Sequence, residues 1–160
     1  MFTPDDDIHW MKLALKQANN GVGTTSPNPP VGAVIVKGGK LIGKGWHQKA
    51  GGPHAEREAI ADALLQHSPQ ALNGATIYVT LEPCSSHGRT PPCTEGIIAA
   101  GITRLVYGSQ DPNPKHVGAA KTIMRSAGLE VHSGVYRSAC DKLIRPFTKV
   151  QQTGLPWVIL

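Results

Sequence analysis

The sequence predicts an α/β domain with three layers, in which helices cover both faces of a five-stranded mixed sheet. Segments with helical periodicity alternate along the chain with short runs of branched apolar residues that are typical of strands. A Lys-Gly-Gly-Lys turn joins the first two strands, which favours an antiparallel hairpin. Helices separate the last three strands, and this spacing implies parallel pairing through right-handed crossovers. With 160 residues, the chain has the size of one ordinary domain.

The N-terminal part is predicted to hold one helix and the hairpin. Thr3 can cap a helix whose first position is Pro4, and apolar residues then recur every three or four positions. Residues 26–30 are too rich in proline for a helix or a central strand. They lead directly into the strands predicted at residues 31–36 and 41–46.

The remaining predicted elements alternate between helix and strand. Two glycines and Pro53 interrupt the chain before a helix that is predicted to run from His54 to about residue 67. Pro146 is expected to end or kink the last helix. The other predicted elements are strands at residues 75–81, 103–108 and 129–132, and helices at residues 94–100, 115–127 and 136 to about 150.

Three residues near predicted element ends can hold a metal ion. His54 begins a helix, Cys84 follows the third strand, and Cys93 opens the next helix. A neutral imidazole and two thiolates suit Zn²⁺, and three protein ligands leave one tetrahedral position open for water. Bound zinc lowers the pKa of water to roughly 7. The sequence therefore predicts a catalytic site with one Zn²⁺ per chain.

Glu56 lies two residues after His54, in the H-x-E arrangement. In zinc deaminases this glutamate is not a ligand but the general acid and base that moves protons between water and substrate. We therefore expect hydrolytic deamination at a ring carbon that bears an amine. The generic signature continues with two residues between the cysteines, whereas residues 85–92 form a longer loop here. This loop is expected to lie over the metal and to contact a substrate larger than a bare base.

Other interpretations of the same residues remain open. A structural zinc site would need a fourth protein ligand, and His87 inside the loop is one candidate. Alternatively, the histidine and both cysteines belong to the core. Cys140 on the last predicted helix is interpreted as a core thiol.

Composition narrows the class of protein. The net charge of +5 permits an acidic partner, either a phosphorylated small molecule or a nucleic acid. The basic residues are scattered, however, so no nucleic-acid partner is expected. The chain has no apolar run long enough for a membrane span, and residues 1–7 lack the features of a signal peptide, which predicts a cytoplasmic protein without membrane contact. Three cysteines favour metal ligands or buried thiols over a disulfide framework.

Four stretches together resemble one enzyme family. They are TSPNPPVGAV at residues 25–34, GPHAE at 52–56, TLEPCSSHGRTPPC at 80–93 and DPNP at 111–114. On these motifs the chain is similar to the deaminase domain of the bifunctional riboflavin-biosynthesis deaminase/reductase, within the cytidine-deaminase-like superfamily. That family commonly has a histidine where this chain has Ser86, and here the histidine follows one position later.

The resemblance implies a fold, a substrate and a set of contacts. The fold is cytidine-deaminase-like. The reaction is deamination of 2,5-diamino-6-ribosylamino-4(3H)-pyrimidinone 5′-phosphate to 5-amino-6-ribosylamino-2,4(1H,3H)-pyrimidinedione 5′-phosphate and ammonia. Asn28 and His47 are implied to contact the substrate, although a turn and a strand end are their ordinary roles.

Four more side chains are expected to contact this substrate. Arg89 lies in the loop between the cysteines, where its guanidinium suits a phosphate, and His87 lies close to it in sequence. Asp111 and Asn113, on a proline-braced loop, can hold the ribose hydroxyls or the phosphate, or form ordinary Asx turns.

The resemblance also suggests how the chain is organised. Residues 1–150 are expected to form the deaminase domain, and residues 151–160 resemble the entry into the family's reductase domain. A reductase, fused or separate, is therefore an expected partner, and a homo-oligomer is expected because related sheets commonly assemble. Three alternatives stay open: a deaminase of other nucleobases or nucleosides, a tRNA-adenosine deaminase, and a zinc-stabilised interaction module without catalysis.

Overall fold

The computed structural model describes residues 2–159 and contains one five-stranded mixed sheet. The strand order is β2-β1-β3-β4-β5, in which β1 is antiparallel to both β2 and β3, and the pairs β3–β4 and β4–β5 are parallel. This arrangement confirms the predicted mixed sheet. The strands are β1 (Gly32–Lys37), β2 (Lys40–Trp46), β3 (Thr76–Leu81), β4 (Arg104–Ser109) and β5 (Glu130–Ser133).

Six α-helices and one short 3₁₀ helix, Pro69–Leu72, surround the sheet in the described part of the chain. The first α-helix begins where it was predicted. Asp6 N donates to Thr3 Oγ1 at 3.2 Å, and Thr3 N donates to the Asp6 carboxylate at 2.9 Å, which forms a capping box. The α-helices are α1 (Pro4–Asn19), α2 (Ala55–Gln66), α3 (Cys93–Ala99), α4 (Ala119–Ser126), α5 (Arg137–Leu143) and α6 (Arg145–Thr153).

Two predicted helices differ from the observed ones. The helix predicted at residues 115–127 starts only at Ala119, because Gly118 has a left-handed backbone with φ of 78° that no helix interior accepts. The single helix predicted from residue 136 to about 150 is divided into α5 and α6 at Ile144. Pro146 lies in the first turn of α6, where its missing N–H costs nothing, and it could not have continued a helix from α5.

Alternating side chains of the strands build two cores, one on each face of the sheet. One face packs against α2, α3 and α4, and the opposite face packs against α1 and α5. Cys140 of α5 is fully buried in the second core, as predicted. The first face includes Ala33, Ile35, Ile77, Val79, Leu105 and Tyr107, and the second includes Val34, Val36, Tyr78 and Val106.

Helix α2 approaches β2 closely because a glycine faces it. A Cβ added to Gly45 would lie 2.5 Å from Glu58 Cβ and 2.6 Å from Ala59 N, which is closer than van der Waals contact allows. A larger residue would push the helix away from the sheet. This close packing sets the position of the first turn of α2, which carries His54 and Glu56.

Four connecting segments meet at one edge of the sheet. Because β1 runs antiparallel to β2, its first residue Gly32 pairs with Trp46 at the end of β2. The parallel strands β3 and β4 end together, with Leu81 paired to Ser109. The segment before β1 therefore lies beside the segments that follow β2, β3 and β4. The side chains carried to this edge are Asn28, His47, Cys84 and Asp111.

Among residues 2–159, we find no helix that combines the length and the apolar character needed to cross a lipid bilayer.

Candidate active site

The three predicted metal ligands converge at helix N-termini. His54 is the N-cap of α2, Cys93 is the first residue of α3, and the possible ligand atoms of these two residues and Cys84 lie within 4.8 Å of one another. His54 Nδ1 is 3.6 Å from Cys84 Sγ and 3.3 Å from Cys93 Sγ. Tetrahedral zinc with ordinary Zn–N and Zn–S bond lengths would separate nitrogen from sulfur by about 3.6 Å. The donor set and its spacing therefore fit one zinc ion.

The two thiols have different electrostatic surroundings. A hydrogen bond from the Cys93 side chain lowers the pKa of Cys84, and His54 and the backbone N–H of Cys93, which lies 3.1 Å from Cys84 Sγ, lower it further. The same contact with Cys84, together with burial, raises the pKa of Cys93. Cys84 thus carries the negative charge more readily than Cys93 does. A divalent cation beside both sulfurs favours the thiolate form of each, as metal ligation requires.

Glu56 lies in the first turn of α2 and is only 4% exposed. Burial raises the pKa of its carboxyl group, and the nearby charge of Cys84 adds to the rise, while hydrogen bonds from its own backbone and from Cys93 partly oppose it. A carboxyl group with a raised pKa can both accept and release a proton closer to neutral pH than an exposed glutamate can.

A cavity of about 150 Å³ opens at this edge of the sheet. Six of the residues predicted from the sequence line it: Asn28, His47, His54, Glu56, Cys84 and Asp111. The other lining residues are Pro29, Val31, Leu81, Glu82 and Phe147. The predicted metal ligands, the predicted proton carrier and three predicted substrate contacts therefore meet in one place.

Asn28 and His47 orient one another at the cavity wall. His47 Nδ1 lies 2.9 Å from Pro53 O, and since a carbonyl oxygen only accepts, Nδ1 carries the proton. In the neutral ring Nε2 is then an acceptor, and Asn28 Nδ2, at 3.2 Å, donates to it. This bond directs the Asn28 amide so that its oxygen is available to an N–H group in the cavity.

Three predicted contacts do not line the cavity. His87 is 71% exposed at its side chain, and its Nε2 lies 3.2 Å from Glu95 Oε1, so the structure does not group it with the metal ligands. Arg89 is exposed on the loop between the cysteines. Asn113 forms a turn, in which its Oδ1 accepts from Lys115 N at 3.0 Å.

Three residues that line the cavity or brace its surroundings were missed by sequence reasoning. Glu82 had a signal, because it directly precedes Pro83 and Cys84 in a recognised motif. Arg57, beside Glu56, donates from Nη2 to Pro91 O at 2.8 Å and to Pro92 O at 3.4 Å, and so braces the loop before Cys93. Phe147 reaches the cavity from α6, and no local pattern links that helix to the site.

Comparison with known proteins agrees with this geometry. The family model for the cytidine and deoxycytidylate deaminase zinc-binding region matches residues 4–109. The chain belongs to this deaminase family. Because the matched region is described as zinc-binding and the His/Cys/Cys group suits that metal, zinc is the cofactor of the site.

Individual relatives are similar over nearly the whole chain. The chain is 47% identical over 154 residues to riboflavin biosynthesis protein RibD of Escherichia coli. The aligned region covers 96% of this chain and 41% of the E. coli protein. The structure of Acinetobacter baumannii RibD has a TM-score of 0.90 at 44% identity and covers 97% of this chain and 42% of that one. These findings confirm the resemblance inferred from the four sequence motifs.

A third relative is described by its activities. The Thermotoga maritima diaminohydroxyphosphoribosylaminopyrimidine deaminase/5-amino-6-(5-phosphoribosylamino)uracil reductase has a TM-score of 0.89 at 44% identity, with 96% of this chain and 43% of that chain covered. This chain therefore spans about two fifths of the length of the three relatives.

Proposed function

We propose that this chain deaminates 2,5-diamino-6-ribosylamino-4(3H)-pyrimidinone 5′-phosphate, releasing ammonia and the corresponding pyrimidinedione in riboflavin biosynthesis. The observation that carries the proposal is the buried Glu56, which shares one small cavity with His54, Cys84 and an oriented Asn28. Similarity to two RibD proteins and to the T. maritima deaminase/reductase supports the choice of substrate.

The metal ligands and the proton carrier have separate tasks. His54, Cys84 and Cys93 would hold zinc, which when bound supplies the Lewis acidity that makes water a nucleophile near neutral pH. Glu56 would accept a proton from the attacking water, deliver it to the ring nitrogen beside the reacting carbon, and protonate the amine that leaves as ammonia when the C–N bond breaks. Its raised pKa suits a group that must take up and release a proton in one cycle.

The size and polarity of the cavity suit the pyrimidine ring of the substrate, with the rest of the substrate outside the cavity. At about 150 Å³ the cavity is smaller than the roughly 300 Å³ at which ordinary ligand pockets begin, so the ribose and phosphate would lie at its mouth. The Asn28 amide oxygen accepts from an N–H of the ring, and His47 holds the amide in that orientation. Pro29, Val31 and Phe147 supply apolar walls for its faces.

The other contacts belong to the same proposal. Asp111 lines the cavity and is suited to a ribose hydroxyl, with Asn113 in the adjacent turn. Arg89 is exposed on the loop between the cysteines, and its planar guanidinium is proposed to bind the phosphate, with His87 two positions earlier in the same loop.

Organisation of the whole protein is also a proposal. Residues 1–150 would form the deaminase domain, and residues 151–160 would begin a reductase domain, which is supported by the reductase activity in the description of the T. maritima relative. The partner would then be a reductase, fused or separate. A cytoplasmic homo-oligomer without nucleic-acid or membrane partners completes the proposal.

Ammonia release from a panel of substrates tests the function. Zinc-loaded protein would be mixed with the ribotide, its dephosphorylated form, cytidine, guanine and an adenosine-containing tRNA anticodon stem. We expect release only from the phosphorylated ribotide. Release from another compound would retain the deaminase and reject the substrate. No release from any compound, with one zinc bound per chain, would favour a zinc-stabilised module without catalysis.

A further inference from the structure

Glu82 is a buried carboxylate at the cavity whose two oxygens are both engaged. It follows β3, directly before Pro83 and Cys84, and is 5% exposed. Its Oε2 accepts from Asp111 N at 3.0 Å, and its Oε1 accepts from Ala120 N at 3.3 Å. One side chain therefore joins the end of β3 to the start of the loop at residues 110–118 and to the first turn of α4.

That loop has few other means of holding its position. None of residues 110–118 is buried. Its remaining hydrogen bonds within residues 2–159 connect loop residues to one another or to α4, such as Asn113 N to Asp111 Oδ1 at 2.8 Å. With little apolar packing, the loop depends on its polar anchors.

We propose that Glu82 is a positioning residue, which holds the backbone of Asp111 so that the Asp111 side chain faces the substrate. The inference rests on the proposed function, in which Asp111 contacts the ribose. Each Glu82 oxygen already accepts from one backbone N–H, which fits an anchor of the loop. The two glutamates of the cavity thus have different roles, Glu56 in proton transfer and Glu82 in placing the loop.

The carboxylate is specifically required by this arrangement. A glutamine has one acceptor oxygen, and its NH₂ group would point its protons at the second backbone N–H. Glu82→Gln therefore preserves size while breaking one of the two bonds. Glu58→Gln is the matched control, since Glu58 lies on α2 without a side-chain hydrogen bond among the described residues.

Amide hydrogen exchange tests the anchoring without any reference to activity. In zinc-loaded protein, Glu82→Gln should accelerate exchange at Asp111 N or Ala120 N by about 10- to 100-fold, the range expected for one hydrogen bond to a charged group. Glu58→Gln should leave both amides unchanged. Equal protection of both amides in wild type and Glu82→Gln would overturn the proposal.

Kinetics with the ribotide test whether the anchor acts through Asp111. Glu82→Gln should raise KM about 10-fold or more, with zinc content retained and kcat changed much less. In an Asp111→Ala background the same substitution should have little further effect on KM. Additive effects of the two substitutions, or a loss confined to thermal stability, would show a role in folding alone and overturn the proposal.

Glu82→Asp is the second variant, for use if Glu82→Gln does not fold. It retains the negative charge but shortens the side chain by one methylene, so it too should raise KM and accelerate amide exchange. Unchanged KM and exchange rates would overturn the proposal. Failure of the wild type to release ammonia from the ribotide would reject the proposed function, while the exchange measurement would still decide whether Glu82 anchors the loop.

Discussion

Asn28 and His47 meet through a single hydrogen bond, with Asn28 Nδ2 3.2 Å from His47 Nε2. The bond has a defined direction because His47 Nδ1–H donates to Pro53 O, which leaves Nε2 as the acceptor. The His47 ring also packs edge-on against His54, with ring centroids 5.4 Å apart. The Asn28 amide, proposed to contact the substrate, is thereby linked through His47 to the proposed metal ligand His54.

Replacing His47 by phenylalanine is expected to impair substrate orientation without removing zinc. The ring can still pack against His54, but Nε2 no longer accepts from Asn28, so the amide is free to rotate. Loss of about one neutral hydrogen bond predicts a fall of roughly 10-fold in kcat/KM. Steady-state kinetics and metal analysis would measure both quantities. If His47 acts through Asn28, His47→Phe adds little in an Asn28→Ala background, and fully additive losses would contradict that coupling.

Glu56→Gln is expected to retain zinc and lose turnover by roughly 10²- to 10⁴-fold, since the amide cannot carry the transferred proton. The measurement is ammonia release together with zinc content. Glu58→Gln, two residues further along α2, is the control and should match the wild type. A Glu56→Gln enzyme with most of its turnover would assign proton transfer to another group.

Zinc removal should change the chemical accessibility of Cys84, one of three cysteines. Cys84 is protected as long as it binds the metal, and because its pKa is lowered, chelation should allow iodoacetamide to alkylate it. Cys93 is 2% exposed and its pKa is raised, so it should react much more slowly. Cys140 is fully buried, and burial raises the pKa of its thiol to about 12, so it should remain unlabelled in folded protein. Mass spectrometry of labelled peptides would count the sites. Labelling of Cys84 at equal rates with and without chelator would argue against thiolate ligation.

Stability in acid is predicted to depend on Asp7. Arg104 donates to it at 2.9 Å and 2.8 Å, and Tyr78 donates at 2.8 Å, in a buried cluster remote from the cavity. Burial alone would raise the pKa of Asp7, but the bonds from Arg104 and Tyr78 outweigh it and lower the pKa below its ordinary value. The stabilisation is therefore complete above the ordinary carboxyl pKa of about 3.9 and is lost as the pH falls through the folded-state value.

Urea unfolding of Asp7→Ala tests this dependence. At pH 7 the variant should lose about 3–5 kcal/mol of unfolding free energy, because Arg104 is left buried without its partner. The difference from wild type should shrink below about pH 4. Zinc release in acid should affect the wild type and Asp7→Ala alike. Asp5 is exposed on the same helix, and its replacement by alanine should change the free energy of unfolding by less than about 0.5 kcal/mol. A difference that stays constant from pH 7 to pH 2 would contradict the assignment.

Local sequence patterns were sufficient to predict an element wherever neighbouring residues cause it to form. The Thr3 cap, the hairpin, the parallel strands and the start of α2 at a Gly-Gly-Pro break follow from capping, turn chemistry and periodicity. The prediction of residues 115–127 as helix overlooked Gly118, whose left-handed backbone delays α4 until Ala119. Pro146 was recognised as a possible break, but only the structure separates α5 from α6.

By itself, the sequence determined the mixed α/β fold and the chemistry of the metal site, because a zinc ligand set and its neighbouring glutamate are matters of residue type and short spacing. Only the tertiary structure decided which distant side chains share the cavity. Glu82 anchors a loop that follows another strand, Arg57 braces the segment before Cys93, and Phe147 reaches the cavity from the last helix. Those contacts join residues that are far apart in the chain. Which residues meet depends on how the strands and helices pack, and no local sequence pattern encodes that packing.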